Sequence, residues 1–297
     1  MPAIPAAGKS VLMFSLSGEP DKARVFDFIR QSAAYGNLGA FIGAGFSKAV
    51  LDDSLSSVVL TWSELLDEAS VRMGVELASI AKNGQGFPEI ASAICLKHSE
   101  SNDCEYLVSL SLLKNEVAAL TGCCPDLCPS GTYQAYLEYL DPAWIVTTNY
   151  DLVIESLLPD RAVPLGPNDA LSAPRGKVPV YHLHGLCTRP EEIIIAQEEY
   201  IALFRPSEYR QIKLALTIRE STTLILGYGL GDVNVLTALD WSRNVFKGAQ
   251  ANYPHAVIQV LRKDNPREMP YWDKNGLLIL ESDSLAVFFD ELMGAPA

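Results

Sequence analysis

The sequence predicts an α/β protein, a Rossmann-like doubly wound parallel sheet of about six strands with a helical insertion. Two observations carry this. Apolar runs rich in β-branched residues recur along the chain, as buried parallel strands require. Segments with helical spacing separate most of them, the alternation expected of a sheet with helices on both faces.

In chain order, the runs are Leu38–Ile42, Trp144–Thr148, Val178–Leu183, Thr222–Leu226, Ala256–Leu261 and Leu277–Leu280. Asp21–Ala34 places Val25, Phe26, Ile29 and Ala33 near helical spacing. Trp62–Ala81, Glu89–Leu120, Phe204–Thr217, Asp232–Phe246 and Ser284–Met293 also read as helix. About 100 residues separate the first two strands, far more than one crossover needs. The intervening sequence reads as a helical insertion around 63–140. Leu165–Lys177 reads as a loop from its Gly, Pro, Asn and Asp content.

Composition narrows the function. Of 297 residues, 48% are apolar and 20% charged, as in a globular chain with a large core. The net charge of −13 argues against a nucleic acid held directly through its phosphates. It leaves room for one small anion on backbone N–H groups. No apolar run reaches the roughly 20 residues of a membrane span, and the stretch Val11–Leu16 lacks the basic flank of a signal peptide. The expectation is a cytoplasmic protein with reduced thiols and no membrane contact.

Four segments can carry chemistry. Gly43-Ala44-Gly45-Phe46-Ser47 follows the first strand, where glycines let backbone N–H groups approach a pyrophosphate. The dinucleotide fingerprint is incomplete, since Lys48 takes the third glycine's place, and a tight turn with glycines kept for packing is the alternative. Thr147-Thr148-Asn149-Tyr150-Asp151 ends the second strand; Asn149 can orient a ribose hydroxyl or a water, and Asp151 can simply cap the next helix. His182-Leu183-His184-Gly185 ends the third; an imidazole suits general base work, a core histidine bonded to backbone is the alternative, and the two histidines share a strand face if the chain stays extended. Gly227-Tyr228-Gly229-Leu230-Gly231-Asp232 is a second glycine turn, with Asp232 as N-cap; two such turns suit a ligand with two phosphates, and a plain βα turn with a cap is the alternative. Gly8-Lys9-Ser10 lacks the strand and first glycine of a P-loop, and Cys123, Cys124 and Cys128, with His98 and Cys104 nearest, lack a second pair at zinc spacing. No metal is expected.

In this order the four segments resemble the sirtuin-like family, nearest to the bacterial NAD hydrolases of anti-phage defence. GAGFS resembles the family's phosphate turn, TTNYD its strand end, HLHG its catalytic strand and GYGLGD its second turn. Trp62-Ser63-Glu64-Leu65-Leu66 and Glu198-Glu199-Tyr200 add to the similarity, which runs from about Leu38 to Leu292 and implies a single sirtuin-like domain over 1–297. The resemblance implies NAD+ as substrate. It assigns the phosphate and ribose turn to Gly43, Ala44, Gly45, Phe46 and Ser47, with Thr148 beside them, and the second turn to Gly227, Tyr228, Gly229 and Asp232. Asn149 and Asp151 match the pair around the nicotinamide ribose, and His184 the catalytic histidine.

The cysteine pairs that hold zinc in protein deacetylases are absent after His184, where only Cys187 remains. This favours water over an acyl-lysine as acceptor. The implied activity is NAD+ glycohydrolysis that depletes NAD in abortive infection, switched on by a homo-oligomer or a separate sensor protein. A protein deacylase and a non-catalytic sensor of NAD or ADP-ribose are the alternatives.

Overall fold

The strand Leu38–Ile42 (β1) is buried at every residue and lies at the centre of the sheet. The computed structural model describes residues 16, 18–51, 59–80, 84–122, 131–203, 209–229, 233–244 and 256–294. Within them β2 is Trp144–Thr147, β3 Ala162–Leu165, β4 Val178–His182, β5 Thr222–Leu226, β6 Val257–Arg262, β7 Tyr271–Trp272 and β8 Leu278–Ser282. The sheet order is β3-β4-β2-β1-β5-β6-β8-β7, and every pairing is parallel except that of β7 with β8.

The sheet has eight strands among the described residues, where the sequence suggested about six. The two additions are edge strands. β3 is four residues, partly exposed and interrupted by Pro164; β7 is two residues, neither of them buried. Neither carries the continuous apolar signal of a central strand.

Alternate residues of the central strands face opposite layers. Ala40, Ile42, Ile145, Val180, Leu224 and Leu226 join one core with Phe26, Ile29, Phe46, Leu137, Phe288 and Phe289. That core packs α1 (Lys22–Ala34), α2 (Ala44–Leu51), α6 (Gly131–Leu140), α7 (Val153–Leu157) and α11 (Leu285–Met293) on one face. Phe41, Val146, Tyr181 and Ile225 build the other core with Leu214 and Ile218 of α9 (Tyr209–Arg219) and Ala238 and Leu239 of α10 (Val233–Asn244). Both faces are therefore covered, as an all-parallel centre requires.

Between β1 and β2 the described chain is helical: α3 (Trp62–Arg72), a 3₁₀ turn, α4 (Phe87–Asn102), α5 (Tyr106–Thr121) and α6. Thr61 and Glu64 cap α3 reciprocally, each side chain accepting the other's backbone N–H. The sequence suggested one helix over Glu89–Leu120; Asp103, at φ +48°, breaks it into α4 and α5, which run back on each other. Leu65, Leu66 and Ala69 of α3 pack with Ile94 and Cys95 of α4 and Leu113 and Val117 of α5 in a third core. Tyr150, Ile193 and Ile195 join it from the sheet side. These helices thus lean over the end of β2. The Phe204–Thr217 helix begins within α9's range at Tyr209; α8 (Gln197–Leu203) precedes it, and 204–208 lie outside the described residues.

Gly39 makes the central pairing close. It pairs with Trp144, whose ring lies over the glycine so tightly that a Cβ there would fall 1.9 Å from the indole. The indole N–H donates to Ser221 Oγ at 3.0 Å and cannot slide away without losing that bond. Gly39→Ala is expected to destabilise the fold by about 1–3 kcal/mol through overpacking. Thermal or urea unfolding followed by circular dichroism checks this; an unchanged midpoint contradicts it.

Candidate active site

Strand register fixes the site. Ile42 pairs with Leu226 on one side and Thr147 on the other, and Thr147 pairs with His182. The four strands β5, β1, β2 and β4 therefore end level and side by side. The segments that follow form one row at the carboxyl edge, about 14 Å across at ordinary strand spacing. This is the edge where open α/β sheets take ligands.

At one end of the row the two glycine turns lock together. Gly43 N–H donates to Leu226 O at 3.0 Å and Gly45 N–H to Gly227 O at 2.8 Å. Gly227 has φ +59°, and a Cβ on it would lie 2.1 Å from Phe46 N; a Cβ on Gly43 or Gly45 would meet Gly227 O at 2.6 or 2.8 Å. Phe46 N–H donates to Gly43 O at 2.9 Å. The N–H groups of Gly43, Gly45 and Phe46 are thus engaged inside the protein. The glycines serve turn-to-turn packing, the alternative reading of this segment, and Ala44, which opens α2, is exposed. Tyr228 packs on Phe41, ring centroids 4.7 Å apart, and its carbonyl accepts from Gln259 Nε2 at 3.1 Å. Nothing lies within 4 Å of a Cβ built on Gly229. Asp232 lies outside the described residues.

In the middle of the row Asn149 Nδ2 donates to Ser47 Oγ at 3.0 Å, and Ser47 Oγ donates to Asp151 Oδ1 at 3.2 Å. All three residues are buried. Asp151 Oδ1 also accepts the N–H of Val153 at 3.1 Å, so this carboxylate does cap α7. Burial pushes the Asp151 carboxyl upward, and the bonds from Val153 and Ser47 oppose that rise. Thr147 Oγ1 accepts from Asn149 N–H at 3.0 Å and fixes the turn.

A cleft opens directly above, lined by Ala44 of α2, Thr148, Asn149 and Asp151 of the β2 end, Trp62 and Leu65 of α3, and Leu120 of α5. Among the described residues, no Lys or Arg lines it. Trp62 was a point of family similarity without a role. Here it lines the cleft and also packs edge-on against Tyr150 (5.9 Å) and His184 (6.5 Å between ring centroids).

The two histidines part company. β4 ends at His182 and the chain turns through His184, so they do not share a strand face, contrary to the extended reading. His182 Nδ1 donates to Asn149 O at 2.9 Å, and Nε2 meets Glu155 Oε1 at 2.9 Å. An acceptor at each nitrogen favours the doubly protonated ring. Burial alone would depress the His182 pKa, but the charge and hydrogen bond of Glu155, with the Asn149 carbonyl, raise it. Glu155 went unnoticed in the sequence; an acid within the short apolar helix LVIESLL was its one signal. His184 is fully buried, and its Nδ1 lies 2.9 Å from Tyr200 Oη. Gly185 follows at φ +101°, with Glu192 O and Ile193 Cα each 2.8 Å from a Cβ position, so the turn lies flat against the next segment.

His98 Nδ1 bonds Ser109 Oγ at 2.8 Å, with Cys104 Sγ 4.0 Å from the same nitrogen. Among the described residues, no group of three or more His, Cys, Asp or Glu is arranged to hold a metal. Cys123, Cys124 and Cys128 lie outside them. Among the described residues no helix is long and apolar enough to cross a membrane.

Fold and site together define a Rossmann-like α/β protein with a polar group at the sheet's carboxyl edge and a helical cover above it. Comparison with known proteins gives a partial likeness. Residues 143–280 match the SIR2-like domain, a stretch holding the ends of β2, β4 and β5 but beginning after the Gly43–Ser47 turn. Over 156 residues the chain is 24% identical to Defense-associated sirtuin 2 of Bacillus subtilis. That match covers 49% of this chain and 15% of the length of that relative. Residues 143–280 are thus similar to SIR2-like domains.

The buried His182–Glu155 pair makes stability depend on pH. A histidine whose folded pKa is raised contributes stability in full below its unfolded value, about 6.5, and loses it as pH rises through the folded value. Glu155→Gln keeps an acceptor but removes the charge. It is expected to cost about 1.5–3 kcal/mol below pH 6.5 and less at higher pH. Urea unfolding across pH 5–9 reads this; a cost that grows with pH contradicts it.

Proposed function

We propose that this protein is an NAD+ glycohydrolase. The observation that carries the reading is the hydrogen-bonded Ser47–Asn149–Asp151 group on the floor of the cleft, one strand away from the histidine turn. NAD+ reacts with water to give nicotinamide, ADP-ribose and a proton. The glycosidic C–N bond breaks through an oxocarbenium-like state, and nicotinamide leaves as a neutral molecule. The residues therefore need to orient ribose and water rather than protonate the leaving group. Asn149, fixed through Ser47, orients the ribose or the attacking water by its amide. His184 takes a proton from a ribose hydroxyl or that water. Asp151 lies against the carboxamide, at a wall shared with Thr148 and Trp62. The pyrophosphate lies toward the exposed Ala44 at the start of α2, whose N–H suits an anion. The engaged amides of Gly43, Gly45 and Phe46 do not take part.

His184 is fully buried beside Trp62. Turnover requires the indole to shift, which fits an enzyme held at rest until a partner or self-association acts on the helical cover. The likeness to Defense-associated sirtuin 2 supports a role in defence, which for this chain is anti-phage NAD depletion.

His184→Ala and Asn149→Ala are each expected to lower nicotinamide release by about 10²–10⁴-fold while the circular dichroism spectrum is kept. Chromatographic quantification of nicotinamide, for the purified protein alone and with the proteins encoded beside it, makes the test. Turnover equal to wild type in both variants would exclude this assignment.

A further inference from the structure

The segment after the histidine turn is fastened on three sides. Ile194 N–H donates to His184 O at 2.8 Å, and Tyr150 Oη donates to Ile194 O at 2.9 Å. Glu199 Oε2 accepts the N–H groups of Ile195 and Ala196, each at 3.1 Å, while its other oxygen pairs with the buried Lys114 of α5. Glu198 accepts from Ser92 of α4 at 2.9 Å and from Tyr106 of α5 at 2.6 Å. The start of α8 is therefore bolted to the helical cover. The next residue in α8, Tyr200, is 8% exposed and brings its hydroxyl to His184 Nδ1, the ring centroids 4.8 Å apart. Tyr200 does not line the cleft.

A general base needs a bare nitrogen aimed at the substrate and a second group that holds the ring in the matching tautomer. We propose that Tyr200 is the positioning residue for His184: its oxygen accepts the Nδ1–H, which keeps Nε2 unprotonated and ready to accept a proton. The Lys114–Glu199 pair holds Tyr200 in place, so the helical cover reaches the base through α8. The catalytic half of this proposal rests on the hydrolase reading; the tautomer half does not.

The test uses the full chain labelled with ring-¹⁵N histidine. His184 is assigned among the four histidines by the signal lost in His184→Ala. In the wild type the expected ring carries its proton on Nδ1. In Tyr200→Phe, which keeps the ring but not the oxygen, the ring is expected to shift toward the Nε2–H form. kcat for nicotinamide release is expected to fall about tenfold with KM within about twofold. A wild-type His184 protonated on Nε2 overturns the proposal even if the variant does not fold. So does a Tyr200→Phe protein with unchanged ring signals and unchanged kcat. If the wild type releases no nicotinamide under any condition, the hydrolase reading fails, and the spectra still decide the role of Tyr200.

Discussion

The contact between Gly45 N–H and Gly227 O, 2.8 Å long, is the constraint on which the rest of the site depends. It joins the turns after β1 and β5 at the point where both strands stop, and no side chain fits between them. Once the turns are locked, α2 leaves the sheet in one direction only, and Ser47 on its first turn reaches the end of β2. Asn149 and Asp151 then find their shared partner more than 100 residues away in sequence. Acid, amide and hydroxyl are buried together at modest cost because each satisfies another.

The two histidines illustrate how environment divides chemistry between similar groups. His182 lies between a carbonyl and a carboxylate and is driven toward the cationic form, where it has no lone pair to offer. It acts as a strut, holding the Asn149 backbone against α7. His184 has left the strand and meets a neutral hydroxyl and two aromatic rings in place of a carboxylate. One residue of chain separates a structural strut from the proposed base.

Much of the fold was legible because the central strands are buried on both faces. The observed bounds of LGAFI and TTLIL match the apolar runs residue for residue. The edges were illegible for the same physical reason: AVPL and YW are partly exposed and carry little apolar signal. The break at Asp103 escaped notice because a left-handed aspartate leaves no mark on apolar periodicity. At the site, residue types were readable but not their partners. The glycine turn was recognisable, yet that its amides are turned inward depends on Gly227, which only the pairing of β1 with β5 brings near. Glu155, Trp62 and Tyr200 were hidden similarly, since each acts through a contact set by the packing of helices on the sheet.

The helical cover and the sheet edge together make the cleft, and in the proposed reaction a dinucleotide lies along the row from β5 to β4 with its scissile bond over Asn149. A crystal structure of the His184→Ala protein with NAD+ tests this most directly. The expected density places the pyrophosphate by Ala44 at the start of α2 and the nicotinamide ribose against Asn149, beside Trp62. A dinucleotide bound elsewhere on the protein, or in the reverse direction with adenine over Asn149, would contradict it.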